Sequence, residues 1–478
     1  MGLFSSLFKR NNYADKVFVC GNIVTPDEEL AGCDAIAVKD GIISFIGTAG
    51  EAEELIGPDT ERIELDGYLC AGFIDPFADP SKAALDGAWF TLSPGASQAK
   101  ICSEVMAYLA SNPAAEYCLA VGCGMDILRR GEAEEGQEKS SFTAALDEVS
   151  GSVPVCIIAE DGINILLNSA ALELVRARAG ELGLPAITPD FAMDTVFSID
   201  YDSVSKKLFA NAYALASRGF TALLGSSANS YFDRIYRSVL TECYGSGLIK
   251  QRYYGSMRMY RQLMQPSVIY AMNRDRTACM ELGGLINFQN ISIRLSSDES
   301  SVSFLEIGYL KSLCEELADK GYNVRIEAMD RQSAILAIDI LGNLSDSYPR
   351  LSFSVLHDQD LSMSERSMIF TGKVQEGSLS HPGELKTSGM DAVVAMTEDN
   401  ARFIGAQGLI GRIAEGMAAD FALFGSDPRL ANTAEAFKAL KAKRTIIGGE
   451  TVFDAGTDSH EAWAAALSES LSGIADEL

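Results

Sequence analysis

The sequence predicts an α/β fold, with a mainly parallel sheet or barrel at its centre and a small β module made from both ends of the chain. Three observations carry this expectation. Short strand-like runs crowd the first part of the chain, up to about residue 70. From about residue 97, apolar strand-like runs alternate with amphipathic stretches, the pattern of parallel α/β architecture. Strand signals then return close to the end, so the two outer segments together make one module around the central unit.

In chain order, KVFVCGNIVTP, AIAVKDGIISFIGT and RIELDGYLCAGFID carry β-branched and aromatic residues punctuated by glycine. Lys39-Asp40-Gly41-Ile42 is a hairpin signal, because Asp-Gly suits a two-residue turn. The central strand-like runs are CLAVGCG, PVCIIAE, FTALLGS, ISIRLSS, NVRIEAM and LSFSVLH. Helical stretches such as SKKLFANAYALASRG and EIGYLKSLCEELADKG lie among them. In the second of these, Ile307, Leu310, Leu313, Cys314 and Leu317 recur at helical spacing, and Gly321 is a C-terminal stop. The β signature returns in GLIGRIAEG, ADFALFG and RTIIGGETVFDAG, and an Ala-rich acidic helix is expected over 459–478.

Composition narrows the partners. With 39 basic and 66 acidic residues the chain carries a formal charge of −27, which repels nucleic acid and anionic membrane surfaces. The ten cysteines form no CxxC pair and no zinc-type cluster with the three histidines, and most sit in apolar runs as small hydrophobes. Reduced thiols and the absence of a run near ~20 apolar residues lead to the expectation of a cytoplasmic protein without stable membrane insertion. At the start, MGLFSS fits the loose myristoylation pattern through Gly2 and Ser6. An apolar cluster followed by Lys9 and Arg10 is the wrong charge order for a signal peptide, and a frayed end is the plainer reading.

Several motifs taken together resemble the amidohydrolase superfamily, in particular its "amidohydrolase 3" type and exoenzyme-regulatory proteins. The resemblance runs from about residue 17 to 455. Asp40-Gly41-Ile42-Ile43 through Gly47, then Gly67 and Gly72-Phe73-Ile74-Asp75, look like the opening hairpin and first strand entry. GCGMDILRRGE and LDEVSGSVPVCIIAEDGINILLNSAAL are similar to an inserted segment, ALASRGFTALLG to a later strand entry, and MTEDNARFIG to the last helix. GLIGRIAEGMAADFALFGSDP is similar to the return motif. The resemblance implies a (β/α)8 TIM-like barrel over 71–405 with an insertion at about 97–200, and a β-sandwich from 1–70 plus 406–458. It also implies chemistry at the C-terminal ends of the strands, where one or two metals, usually zinc, activate water.

The metal-ligand positions implied by the resemblance do not carry metal ligands of the family's kind. Where a His-x-His pair would follow Asp75, the chain has Phe77 and Asp79. Ile163 stands at a substrate histidine, Arg294 at a lysine, Glu327 at the third metal histidine and Val355 at the fourth. Phenylalanine and valine have no lone pair to offer, and arginine stays protonated. His357 shares strand parity with Val355 and is a pocket candidate, whereas His381 and His460 are expected at the surface. Asp391 is a default candidate for the catalytic aspartate. Ser226-Ser227 follows a glycine turn but lacks a G-x-S-x-G elbow.

Asp79, Arg294, Glu327, Asp330 and His357 are therefore the pocket candidates. Asp79, Glu327 and Asp330 fit an oxygen-rich site for Mg, Ca or Mn, or, with Arg294 beside them, a structural ion-pair cluster. The leading expectation is an amidohydrolase-fold protein that has lost metal-dependent hydrolysis and binds a small molecule or acts in regulation, with no cofactor. A working hydrolase of amide or cyclic amide C–N bonds, with a carboxylate-based or metal-free site or a divalent metal such as Zn or Mg, is the alternative. A regulatory partner-binding protein and a homodimer are further expectations.

Overall fold

The computed structural model describes residues 13–78, 80, 89–93, 95–124, 127, 141–159, 164–184, 189–197, 201–226, 240, 242–245, 247, 249–259, 285–298, 303–362, 364–365, 373–377, 387–431 and 433–457. The N-terminal strands are β1 (Lys16–Val19), β2 (Ile23–Val24), β3 (Ala35–Lys39), β4 (Ile42–Gly47), β5 (Glu61–Glu64) and β6 (Tyr68–Ala71). The expected hairpin joins β3 to β4: Asp40 has φ 52° and Gly41 φ 76°. Positive φ at both central residues is what a right-twisted two-residue hairpin demands, and Asp-Gly supplies it.

The central unit follows as β7 (Phe73–Asp75), β8 (Phe90–Thr91), β9 (Cys118–Cys123), β10 (Val155–Ala159), β11 (Ile165–Leu167), β12 (Phe220–Ser226) and β13 (Arg252–Met259). It continues through β14 (Ile286–Leu295), β15 (Asn323–Ala328), β16 (Phe353–Leu356) and β17 (Gln375–Gly377). The chain closes with β18 (Phe421–Phe424), β19 (Ala442–Ile447) and β20 (Glu450–Asp454).

Seven of these strands form one parallel sheet in the order β17-β16-β15-β14-β13-β12-β7. From β12 to β17 the neighbours follow chain order, each separated by a crossover, which is the arrangement of a TIM-like barrel. Among the described residues, β7 and β17 are its two edges. They nevertheless approach across one side chain, since a Cβ built on Gly377 of β17 would lie 3.5 Å from the Phe77 ring just beyond β7.

Two runs that read as strands of the central alternation, CLAVGCG and PVCIIAE, belong elsewhere. They become β9 and β10 of a separate sheet ordered β11-β10-β9-β8. That sheet has its own core of Ile101, Val105, Phe142, Leu146, Val155 and Ile157, built with the Gln98–Ser111 and Ser141–Ser150 helices. The period of the apolar residues gives strand or helix but not sheet membership, because sheet membership depends on long-range packing.

Strands from the two ends of the chain share a sheet. One sheet is β4-β3-β1-β5, and the other, β2-β6-β18-β19-β20, mixes N-terminal and C-terminal strands. Phe18, Ile36 and Ile43 of the first share a core with Leu69, Phe421 and Ile446 of the second. GLIGRIAEG forms no strand: Gly408, Gly411 and Gly416 all take positive φ, which breaks an extended run.

The Ile307–Asp319 helix forms where its apolar period places it, and Gly321 with φ 78° ends it. Ile307 departs from the expected buried face and is 53% exposed, because the first helical turn lies outside the stripe of Leu310, Leu313, Cys314 and Leu317. Gly405 marks a tighter constraint. It has φ 75°, and a Cβ there would lie 2.0 Å from Asn323 Nδ2. Gly405→Ala is expected to lower stability by on the order of 3 kcal/mol, read as a shift in the urea midpoint.

Candidate functional site

On β15 the residues alternate between two environments. Val324, Ile326 and Ala328 enter the apolar core shared with the Ile307–Asp319 and Arg331–Ser347 helices. Asn323, Arg325 and Glu327 take the other face, towards the interior of the curved sheet. A strand of a parallel sheet is ordinarily apolar on both faces, so this polar interior row is the unusual feature of the chain.

Register stacks the row into layers. Asn290 of β14 lies beside Asn323, Ser292 beside Arg325 and Arg294 beside Glu327. At the base, Asn323 Nδ2 donates to Asn290 Oδ1 at 3.1 Å, and Asn323 Oδ1 accepts from Ser352 N at 2.9 Å. In the middle, Arg325 Nε reaches Ser354 Oγ at 3.4 Å. At the C-terminal end, Glu327 Oε1 accepts from Ser292 Oγ at 2.7 Å, and Arg294 Nε lies 3.4 Å from Oε2.

Arg325 is only 7% exposed, and its guanidinium carbon sits 4.5 Å from the Phe403 ring centre and 5.6 Å from that of Phe77. The two rings are 5.1 Å apart and tilted by 52°. Their faces stabilise the cation where water cannot. Burial still pulls the Arg325 pKa down to about 10, against the opposing pull of the Glu327 charge. Phe77 is held by its own N–H, which donates to Asp75 Oδ1 at 3.0 Å. Burial raises the Asp75 carboxyl above its ordinary range, more than that bond and the Arg218 charge lower it.

The sequence-based candidates divide accordingly. Arg294 and Glu327 meet as an ion pair at the strand ends. Val355 does not face the interior; it is fully buried in the outer core with the helices. His357, of the same parity, accepts from Gln359 N at Nδ1 (3.1 Å), which places its proton on Nε2. That Nε2 lies 3.1 Å from Glu376 Oε1, so His357 is turned to β17 and not to Glu327. The expectation that His357 joins the acidic pocket is corrected on this point, because strand parity sends it to the outer face.

Asp330 also leaves the pocket. It caps the Arg331–Ser347 helix, with Oδ1 accepting from Ser333 N at 2.9 Å and Oδ2 from Ser297 N at 2.8 Å. Partial burial works against its charge, but the Ser297 and Ser333 hydrogen bonds outweigh it and hold the carboxyl below its ordinary range. Its contribution is therefore present above the unfolded carboxylate pKa and fades as pH falls through the lower folded value. Asp330→Ala is expected to cost about 1 kcal/mol in chemical denaturation at neutral pH. Asp391 stands exposed in the first turn of the Gly389–Val394 helix. Asp79, Ile163, Ser227, His381 and His460 lie outside the described residues.

Sequence reasoning passed over Arg325, Ser292, Phe403 and Glu376. One signal was available for the first: in NVRIEA two charged residues alternate with branched apolar ones in a strand flanked by long helices. Such alternation inside a parallel sheet marks a polar interior.

A catalytic zinc of the amidohydrolase kind does not fit these side chains. Phe77 and Val355 offer no donor atom, Arg294 is a cation, and both Glu327 oxygens already face a hydroxyl or a guanidinium. Among the described residues, no cluster of three His, Cys, Asp or Glu side chains could hold a metal ion. No helix among them is long and apolar enough to cross a membrane.

Comparison with known proteins agrees with the architecture. Residues 310–452 match the model of the amidohydrolase family. The exoenzymes regulatory protein AepA of Pectobacterium carotovorum subsp. carotovorum is 29% identical over 185 residues, which is 37% of each chain. Protein LONG AFTER FAR-RED 3 of Arabidopsis thaliana is 27% identical over 162 residues, 34% of this chain and 26% of that protein. The matched segment thus spans well under half the length of either relative. Among solved structures, an uncharacterized metal-dependent hydrolase from Pyrococcus horikoshii OT3 superposes with a TM-score of 0.51 at 13% identity, covering 87% of this chain and 98% of that one. An adenosine deaminase from Xanthomonas campestris with bound zinc gives 0.51 at 11% identity, covering 97% and 99%. At such identities the likeness is one of fold.

Proposed function

We propose that this chain, a relative of the amidohydrolases by its fold and by the match over residues 310–452, has given up metal-dependent hydrolysis and binds a small molecule at the barrel mouth. The observation that carries the reading is the Arg294–Glu327 ion pair beside Arg325, whose guanidinium rests on the touching Phe77 and Phe403 rings. It fills, with charged and aromatic side chains of the chain itself, the strand ends where the fold's hydrolases do chemistry. A regulatory role is the natural use of such a binding barrel, and one of the two curated relatives is named as a regulatory protein. The two interleaved sheets from the chain ends are read here as the β-sandwich of the same architecture.

The experiment is thermal unfolding with added zinc, added magnesium and chelator. A barrel whose strand ends take no metal keeps the same Tm in all three, because neither metal binds the native state selectively. A Tm that rises with zinc at micromolar concentration and falls with chelator contradicts the reading.

A further inference from the structure

We infer that the barrel interior binds a small organic monocarboxylate, held by the Arg325 guanidinium with Arg294 at the rim. This inference rests on the proposed reading of the barrel as a binding site and names its ligand class.

Charge is the first support. Arg294 and Arg325 share the interior face with the Glu327 carboxylate, so among these groups the cations outnumber the carboxylate. A desolvated cation in excess is costly unless an anion meets it.

Donor geometry is the second support, and it is independent of the charge balance. Arg325 is more than nine-tenths buried, yet among the described residues its sole hydrogen bond is the long one from Nε to Ser354 Oγ at 3.4 Å. Glu327, its neighbour along the strand, spends Oε1 on Ser292 and turns Oε2 to Arg294. The planar amino pair of Arg325 thus keeps its donors for a planar acceptor, and a carboxylate matches that fork with two parallel bonds. The Phe77 and Phe403 rings pack against the guanidinium, so its position is set before the ligand arrives. Arg294, with its side chain 36% exposed, stands nearer solvent and supplies the charge that draws an anion inward.

The test uses trifluoroacetate as a monocarboxylate small enough to enter any such space, followed by fluorine NMR line broadening on the full chain. Trifluoroethanol is the neutral control, and acetate, chloride and inorganic phosphate are competitors. The expected result is saturable broadening of trifluoroacetate alone, reversed by acetate at concentrations about tenfold below those of chloride or phosphate. Arg325→Lys, which keeps the charge but not the fork, is expected to weaken binding about tenfold or more. Arg294→Gln, at a half-exposed position, weakens it less, and it keeps the test alive if the buried variant fails to fold.

No saturable broadening, equal broadening of trifluoroethanol, competition by chloride or phosphate as strong as by acetate, or binding untouched by both substitutions would each overturn the inference. Metal analysis of the same sample separates the two ideas. A metal-free protein that ignores trifluoroacetate loses the carboxylate and keeps the lost-metal reading, while a zinc-loaded one loses that reading.

Discussion

Replacing Arg252 with alanine is expected to destabilise the protein by about 3–5 kcal/mol. Arg252 opens β13 and grips Asp420 with two bonds, Nε to Oδ2 at 2.6 Å and a terminal nitrogen to Oδ1 at 2.9 Å. Asp420 is only 4% exposed and also accepts from Gly448 N at 2.8 Å, in the turn between β19 and β20. The pair therefore ties the parallel sheet to the module made from the chain ends. The Asp420 interaction holds the Arg252 pKa above its ordinary value, although burial works the other way. Removing the cation leaves a carboxylate buried with a single backbone donor. Urea denaturation checks the value, and a loss below about 1 kcal/mol would show that water compensates the aspartate fully.

Glu327→Ala is expected to cost a similar amount, about 3–5 kcal/mol, because it strips Arg325 of its charge partner in the barrel interior. Glu327→Gln keeps the shape and can still accept from Ser292, so its cost is smaller. The informative comparison is the double replacement Arg325→Met with Glu327→Leu. Removing both charges removes both desolvation costs, and the double variant is expected to be more stable than Glu327→Ala alone. A double variant less stable than Glu327→Ala would mean that the ion cluster is kept for stability. The expected order means that it is kept for binding, in line with the proposed function.

Much of the fold was legible in the sequence because local chemistry and global fold agree. Asp40-Gly41 turned the β3–β4 hairpin, and the Leu310, Leu313, Cys314 and Leu317 stripe placed its helix on the sheet. CLAVGCG and PVCIIAE formed strands as expected, but their place in a separate sheet rests on contacts between distant segments. The glycines of GLIGRIAEG were visible, yet only the positive φ of Gly408, Gly411 and Gly416 shows that they break the run.

The site was half legible for a related reason. Arg294 and Glu327 could be paired from the sequence because they occupy equivalent positions in adjacent strands. His357 and Asp330 could not be assigned in the same way. The first depends on which face β16 turns to the helices, and the second on a capping bond formed only when the next helix docks. Arg325 was hidden in plain view, as one charge within an apolar strand whose role shows only when Phe77 and Phe403 pack against it.

If metal chemistry has been given up, the strand ends hold no catalytic zinc. The most direct measurement is elemental analysis of the full chain purified without chelators or metal-affinity resin, counted against protein concentration. The account predicts zinc and other transition metals far below one per chain, with no change in content after growth in zinc-supplemented medium. Zinc near one or two per chain, removed by chelator together with a hydrolytic activity on amide substrates, would contradict it.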